Sequence, residues 1–159
     1  MKLEDFDRVV KRFRERPISG RKLYLYCGNK GSIKSVLPIE ILKEVDLLKI
    51  IPAEDYADDT SIQKAVKDAL KKILQENIQS LTGQQVLLII NSWILARYDV
   101  RLSIFYQYYL VDRTMVMLHI DKTSFGISLP RYVTFKDNIV FKYFEKLLPE
   151  ENKDNILKE

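Results

Sequence analysis

Gly28, Lys34 and Ser35 have the types and spacing with which a glycine turn, an ammonium and a hydroxyl hold a phosphate and its magnesium ion. They lie in Gly28-Asn29-Lys30-Gly31-Ser32-Ile33-Lys34-Ser35, directly after the apolar run RKLYLYC. A loop between a strand and a helix turns successive backbone N–H groups toward an anion. Measured against G-x-x-x-x-G-K-[ST], the stretch matches at Gly28, Lys34 and Ser35. Gly31 falls inside the loop, and Ile33 stands where the second glycine is required. A glycine there lets the backbone close on the phosphates with no Cβ in the way. A β-branched Ile33 weakens that closure, so ATP and magnesium are expected to bind weakly or not at all.

The second chemical segment is VLLIINS. A nucleotide-hydrolysing site of this kind needs an acidic residue at the end of such a strand to hold the magnesium shell. Asn91 and Ser92 stand there instead. Asn91 can hydrogen-bond a hydrated metal but brings no charge, and Ser92 is a poor general base. Ile33 and Asn91 together argue against efficient hydrolysis, and no catalytic residue is assigned. His119 reads as a hydrogen-bonded core histidine and Cys27 as a packing residue. One Cys and one His give no ligand set for structural zinc.

These residues need elements to place them. LEDFDRVVKRFRER puts Leu3, Phe6, Val10 and Phe13 at helical spacing and stops at Pro17. RKLYLYCG reads as a strand, VLPIEILKEV as helical with Pro38 in its first turn, and LLKIIPA (47–53) as a second strand. A long helix carries the stripe Ile62, Ala65, Val66, Ala69, Leu70, Ile73 and Leu74. QQVLLIINS gives a third strand, RLSIFYQYYLVD a helix, RTMVMLHI a fourth strand, and SLPRYVTF an edge strand because of Pro130. IVFKYFEKLL closes the domain. Apolar runs without alternation belong to strands covered on both faces. The expectation is one three-layer α/β domain over 1–148 with a mostly parallel sheet of about five strands, and a frayed tail over 149–159.

Composition sets the outer bounds. The chain has 159 residues, 47% apolar and 30% charged. No apolar run approaches the roughly 20 residues that cross a bilayer, so no membrane contact and a cytoplasmic location are expected. Eight basic and four acidic residues in positions 1–22 account for the whole net charge of +4. Nucleic acid, if it binds, is expected at residues 8–22. The aromatic residues Trp93, Tyr98, Phe105, Tyr106, Tyr108 and Tyr109 suit either a protein interface or a second core layer.

The segments KLYLYCGNKGSIKS, VLLIINSWILARYDVRLSIFYQYYLVDRTMVMLHI and LPRYVTF…YFEKLL resemble small P-loop proteins of bacterial phage-defence operons, nearest those of BREX-type systems. The resemblance spans about residues 20–148 and rests on segment order. It implies a P-loop NTPase-like fold with phosphate ligands at Gly28, Gly31, Lys34 and Ser35 and a remnant metal site at Asn91. Arg113, just before the fourth strand, is where a resemblance to AAA-like ATPases would put an arginine reaching a neighbour's nucleotide; the alternative is a surface arginine at a strand start. Asp121 and Thr123 after that strand read either as a γ-phosphate sensor or as a plain loop. The partners that the phage-defence resemblance implies are other proteins of the same defence system, or further copies of the chain. Three functions follow as expectations: an accessory protein with weak or no hydrolysis, a slow ATPase completed by oligomerisation, and a nucleic-acid module using the basic N-terminal helix.

Overall fold

The computed structural model of the chain describes residues 1–15, 22–37, 39–50, 59–80, 85–97, 101–102, 105, 115–120, 144, 146 and 155–158. In chain order these form α1 (Leu3–Glu15), β1 (Lys22–Cys27), α2 (Lys30–Val36), a 3₁₀ turn (Ile39–Ile41) and β2 (Leu42–Asp46). The short α3 (Leu47–Ile50), α4 (Asp59–Gln79), β3 (Val86–Ile90), α5 (Trp93–Arg97), β4 (Met115–Ile120) and β5 (Ile156–Lys158) follow. The expectations at Arg113, Asp121, Thr123, Tyr98, Tyr106, Tyr108, Tyr109 and the 128–135 strand lie outside the described residues.

The strands make one five-stranded sheet in the order β2-β3-β4-β1-β5, with every pairing parallel. This is the α/β architecture that the uninterrupted apolar runs call for. All of β3 and all of β4 are buried, which suits interior strands. On one face, Leu3, Phe6 and Val10 of α1 and Ile33 and Leu37 cluster with Tyr24, Tyr26, Val86, Leu88, Met115, Met117 and Leu157. The alternate residues Leu23, Leu25, Leu87, Ile89, Val116 and Leu118 point the other way and are equally buried. Both faces of the sheet are therefore covered.

Sheet order fixes where a crevice opens. From β1 the chain travels past β4 and β3 to the far edge, then returns strand by strand and passes over β1 to β5. The strand order reverses between β1 and β4, which are neighbours in the sheet but whose next strands lie in opposite directions. Ligands of open α/β sheets bind at the carboxyl ends of strands at such a reversal.

Three expectations are corrected. Residues 36–45 do not form a helix: α2 ends at Val36, ahead of Pro38, and β2 occupies Leu42–Asp46. The second strand is therefore not at 47–53, where Leu47–Ile50 is instead helical. Lys43 and Glu44 disguised β2; it is an edge strand, and charged residues are tolerated on edges. The tail is not frayed at its end, because Ile156, Leu157 and Lys158 pair with Leu25, Tyr26 and Cys27. Leu157 is fully buried, and the Met1 ammonium donates to the Ile156 carbonyl at 3.0 Å. Among the described residues no helix is long and apolar enough to cross a membrane.

Candidate functional site

The stretch 28–35 lies between the first strand and a helix, but it does not wrap. β1 ends at Cys27 and α2 starts at Lys30, leaving Gly28 and Asn29 as the whole turn. Asn29 is the N-cap of α2, with extended backbone. Its Oδ1 accepts from the Gly31 N–H at 2.8 Å, and its carbonyl accepts from the Ser32 N–H at 3.1 Å. Two N–H groups that a phosphate would need are already taken. The reason is Ile33: where the pattern requires glycine, this side chain is fully buried against the sheet. Residue 33 lies within α2, and a helix there leaves no loop to close.

Gly31, Lys34 and Ser35 consequently sit within α2 rather than in a cradle. Ser35 donates its hydroxyl to the Ser32 carbonyl at 2.8 Å. Lys34 pairs with Glu44 of β2 at 3.1 Å, and Lys30 pairs with the other oxygen of the same carboxylate at 3.0 Å. Burial pushes the Glu44 carboxyl up, but the two ammonium groups outweigh it and hold the carboxyl below its ordinary value. Two lysines on one carboxylate leave this group with a surplus positive charge.

The sheet builds a different site nearby. A cavity of about 240 Å³ at the carboxyl ends of the strands is lined by Lys30, Asp46, Ile90, Asn91, Trp93 and His119. Five elements converge there: α2 brings Lys30, β2 ends at Asp46, β3 ends just before Asn91, α5 brings Trp93, and β4 brings His119. In the ladder Asp46 faces Ile90, so its side chain reaches the residue that follows β3. Asn91 donates its amide to Asp46 Oδ1 at 2.7 Å and accepts from Trp93 Nε1 at 3.3 Å. Its backbone is left-handed, with φ at 57°, a conformation that Asn tolerates better than most residues. The Asn91 carbonyl then accepts from the Ile94 N–H as α5 begins.

His119 forms the wall toward β1. It is buried, its ring stacks on Tyr26 at 5.5 Å between centroids, and Nε2 lies 2.8 Å from the Gly28 carbonyl. The Tyr26 hydroxyl donates to the Asn29 carbonyl at 3.0 Å. Both carbonyls of the turn are thus tied to the sheet, making it rigid. His119 is the hydrogen-bonded core histidine that its sequence context suggests, and Cys27 is a buried free thiol.

Of the residues singled out by sequence, Asn91, Trp93 and His119 line the cavity, and Lys34 and Ser35 do not. Trp93 and Phe105 are core residues, 6% and 0% exposed. Ser92 is fully buried with its hydroxyl donated to the Ile89 carbonyl at 2.9 Å, which removes it from proton transfer. Sequence reasoning missed Asp46 and Lys30. Reading 42–46 as a strand would have put Asp46 at its carboxyl end, level with Asn91.

Lys30 and Asp46 suit a metal-bound phosphate in their chemistry. Magnesium keeps several waters and is held through one or two carboxylates plus substrate phosphates. Among the described residues no group of three or more His, Cys, Asp or Glu could hold a metal by itself. Compared with known proteins, the chain matches no protein-family model, no curated protein and no solved structure.

Proposed function

We propose that this chain is a P-loop-like accessory protein that acts through protein partners and carries a weak, non-hydrolysing nucleotide site. The observation that carries the reading is the cavity at the sheet's carboxyl edge, where Lys30 and Asp46 face one space beside the point at which the strand order reverses. β3 and β4 lie between β1 and β2, but Lys30 reaches across them, since its ammonium pairs at 3.0 Å with Glu44, two residues before Asp46 on the same strand. Poor hydrolysis follows from the polar side chains in the cavity and beside it. Ser92 is buried and engaged, His119 is held by Gly28, and Asn91 carries no charge to activate a water. The setting in phage defence rests on the sequence resemblance, and the partners it implies are proteins of that system or further copies of the chain.

Thermal shift with phosphate release tests this. For a dissociation constant near 1 mM, 5 mM Mg-ATP or Mg-GTP stabilises by about 1 kcal/mol, raising Tm by roughly 2–4 °C in a chain of this size. Phosphate release should stay at background. No shift with either nucleotide removes the nucleotide part of the reading, and steady turnover replaces it with the slow ATPase.

A second reading has one observation in its favour. Arg8, Lys11 and Arg12 are all exposed on α1, whose apolar side is committed to the sheet. A nucleic-acid module using this face predicts binding that weakens steeply with salt and on charge reversal of Arg8 and Arg12. Unchanged DNA and RNA binding in that variant dismisses it.

A further inference from the structure

We infer that Asp46, together with Lys30, is where this chain contacts a magnesium-bound phosphate ligand: Asp46 holds the hydrated metal and Lys30 the phosphate. The inference rests on the nucleotide reading above and specifies its contacts. It moves both from the positions that the sequence motifs mark, the metal contact from the end of β3 to the end of β2, and the phosphate lysine from Lys34 to Lys30.

The geometry supports each part. Asp46 and Lys30 line the same cavity, and Lys34 and Ser35 do not. The Asn91 amide donates to Oδ1 and fixes the direction of the carboxylate. Asn91 is held in turn by the Trp93 indole, so the carboxylate is positioned by a short chain of hydrogen bonds. That is the kind of support metal contacts require.

Lys30 can turn to a phosphate without stranding its partner, because Lys34 holds the other oxygen of Glu44. The two lysines therefore divide the work: Lys34 keeps Glu44 neutralised, and Lys30 is the mobile charge. A ligand carrying an anion and a cation together, as a magnesium-chelated polyphosphate does, satisfies Lys30 and Asp46 at once.

Calorimetric titration of the full chain with ATP, in magnesium and in EDTA, tests the assignment. Wild type should bind more tightly with magnesium, and Asp46→Asn should remove about ten-fold of affinity in magnesium and nothing in EDTA. Lys30→Met should weaken binding under both conditions. A magnesium effect that is the same in Asp46→Asn overturns the assignment and leaves the nucleotide reading standing. Absence of ATP binding by wild type overturns both. Should Asp46→Asn fail to fold, paramagnetic broadening by substoichiometric Mn-ATP on wild type decides. Loss of the Asp46 and Asn91 amide signals first supports the inference, and loss of the Ser35 signal first contradicts it.

Discussion

The Asn91 side chain donates to Asp46 at 2.7 Å, linking the carboxyl ends of two neighbouring parallel strands whose residues are 45 positions apart in sequence. The bond joins a residue with left-handed backbone to the carboxylate of the cavity. An acidic group stands one strand over from the end of β3, and Asn91 is its donor. An acid at position 91 would be a repulsive neighbour of Asp46 until a cation bridged the two.

Asn91→Asp therefore makes the first prediction. It replaces a hydrogen bond by two carboxylates in contact, costing about 2 kcal/mol at the partly exposed cavity. In EDTA the melting temperature should fall by roughly 4–8 °C for a chain of this length, and millimolar magnesium should restore most of it. Equal melting temperatures for variant and wild type in EDTA would contradict the described contact.

Glu44→Gln releases both lysines from their shared carboxylate. Exposed pairs of this kind contribute about 0–1 kcal/mol, so stability should hardly change. Anion affinity at the cavity should instead rise, about two- to five-fold at low salt and less as salt screens the freed charge. Weaker ATP binding by this variant would show that Glu44 orients Lys30 rather than competing for it. Because the Glu44 carboxyl is held below its ordinary value, the stability from these pairs is present above that value and is lost as pH falls through the lowered one.

Tyr24 supplies an alkaline signature. Burial raises its phenol to about 12 from the ordinary 10, and Phe6 packs edge-on against its ring at 4.9 Å. The unfolded chain ionises this group first as pH rises, so stability is intact below pH 10 and falls from there to about 12. The loss amounts to about 3 kcal/mol for the two-unit difference. Urea unfolding of wild type and Tyr24→Phe across this range measures it. Identical slopes above pH 10 would refute the burial of Tyr24.

The short strand at 156–158 is part of the core. Leu157 is fully buried in the α1-side cluster, so Leu157→Ala should cost about 2–5 kcal/mol in urea unfolding. A cost below 1 kcal/mol would mean that β5 is dispensable.

What could be read from the sequence follows from burial. β1, β3 and β4 are covered on both faces, and this writes unbroken apolar runs; α1 is covered on one side, and this writes a helical stripe. β2 could not be read the same way, since its edge position admits Lys43 and Glu44 and leaves only Val45 fully buried. β5 offers two apolar residues in a polar tail, and its pairing depends on contacts with β1 and Met1 more than 130 residues away. At the site, the turn after β1 and the polar end of β3 were legible because each is a local pattern. The Asp46–Asn91 contact was not, because it exists only once the β2–β3 register is fixed. Ile33 carried the decisive signal: its side chain explains both the broken motif and the early helix.

The central claim is that the ligand meets Lys30 rather than Lys34. Titrating Mg-ATP against wild type, Lys30→Ala and Lys34→Ala tests it most directly. The account predicts that Lys30→Ala loses about ten-fold or more in affinity, as expected for a charge-assisted hydrogen bond, and that Lys34→Ala loses clearly less, because it removes only the second partner of Glu44. The reverse ranking, with Lys34→Ala deficient and Lys30→Ala unaffected, would contradict it and return the phosphate to the segment that the motif marks.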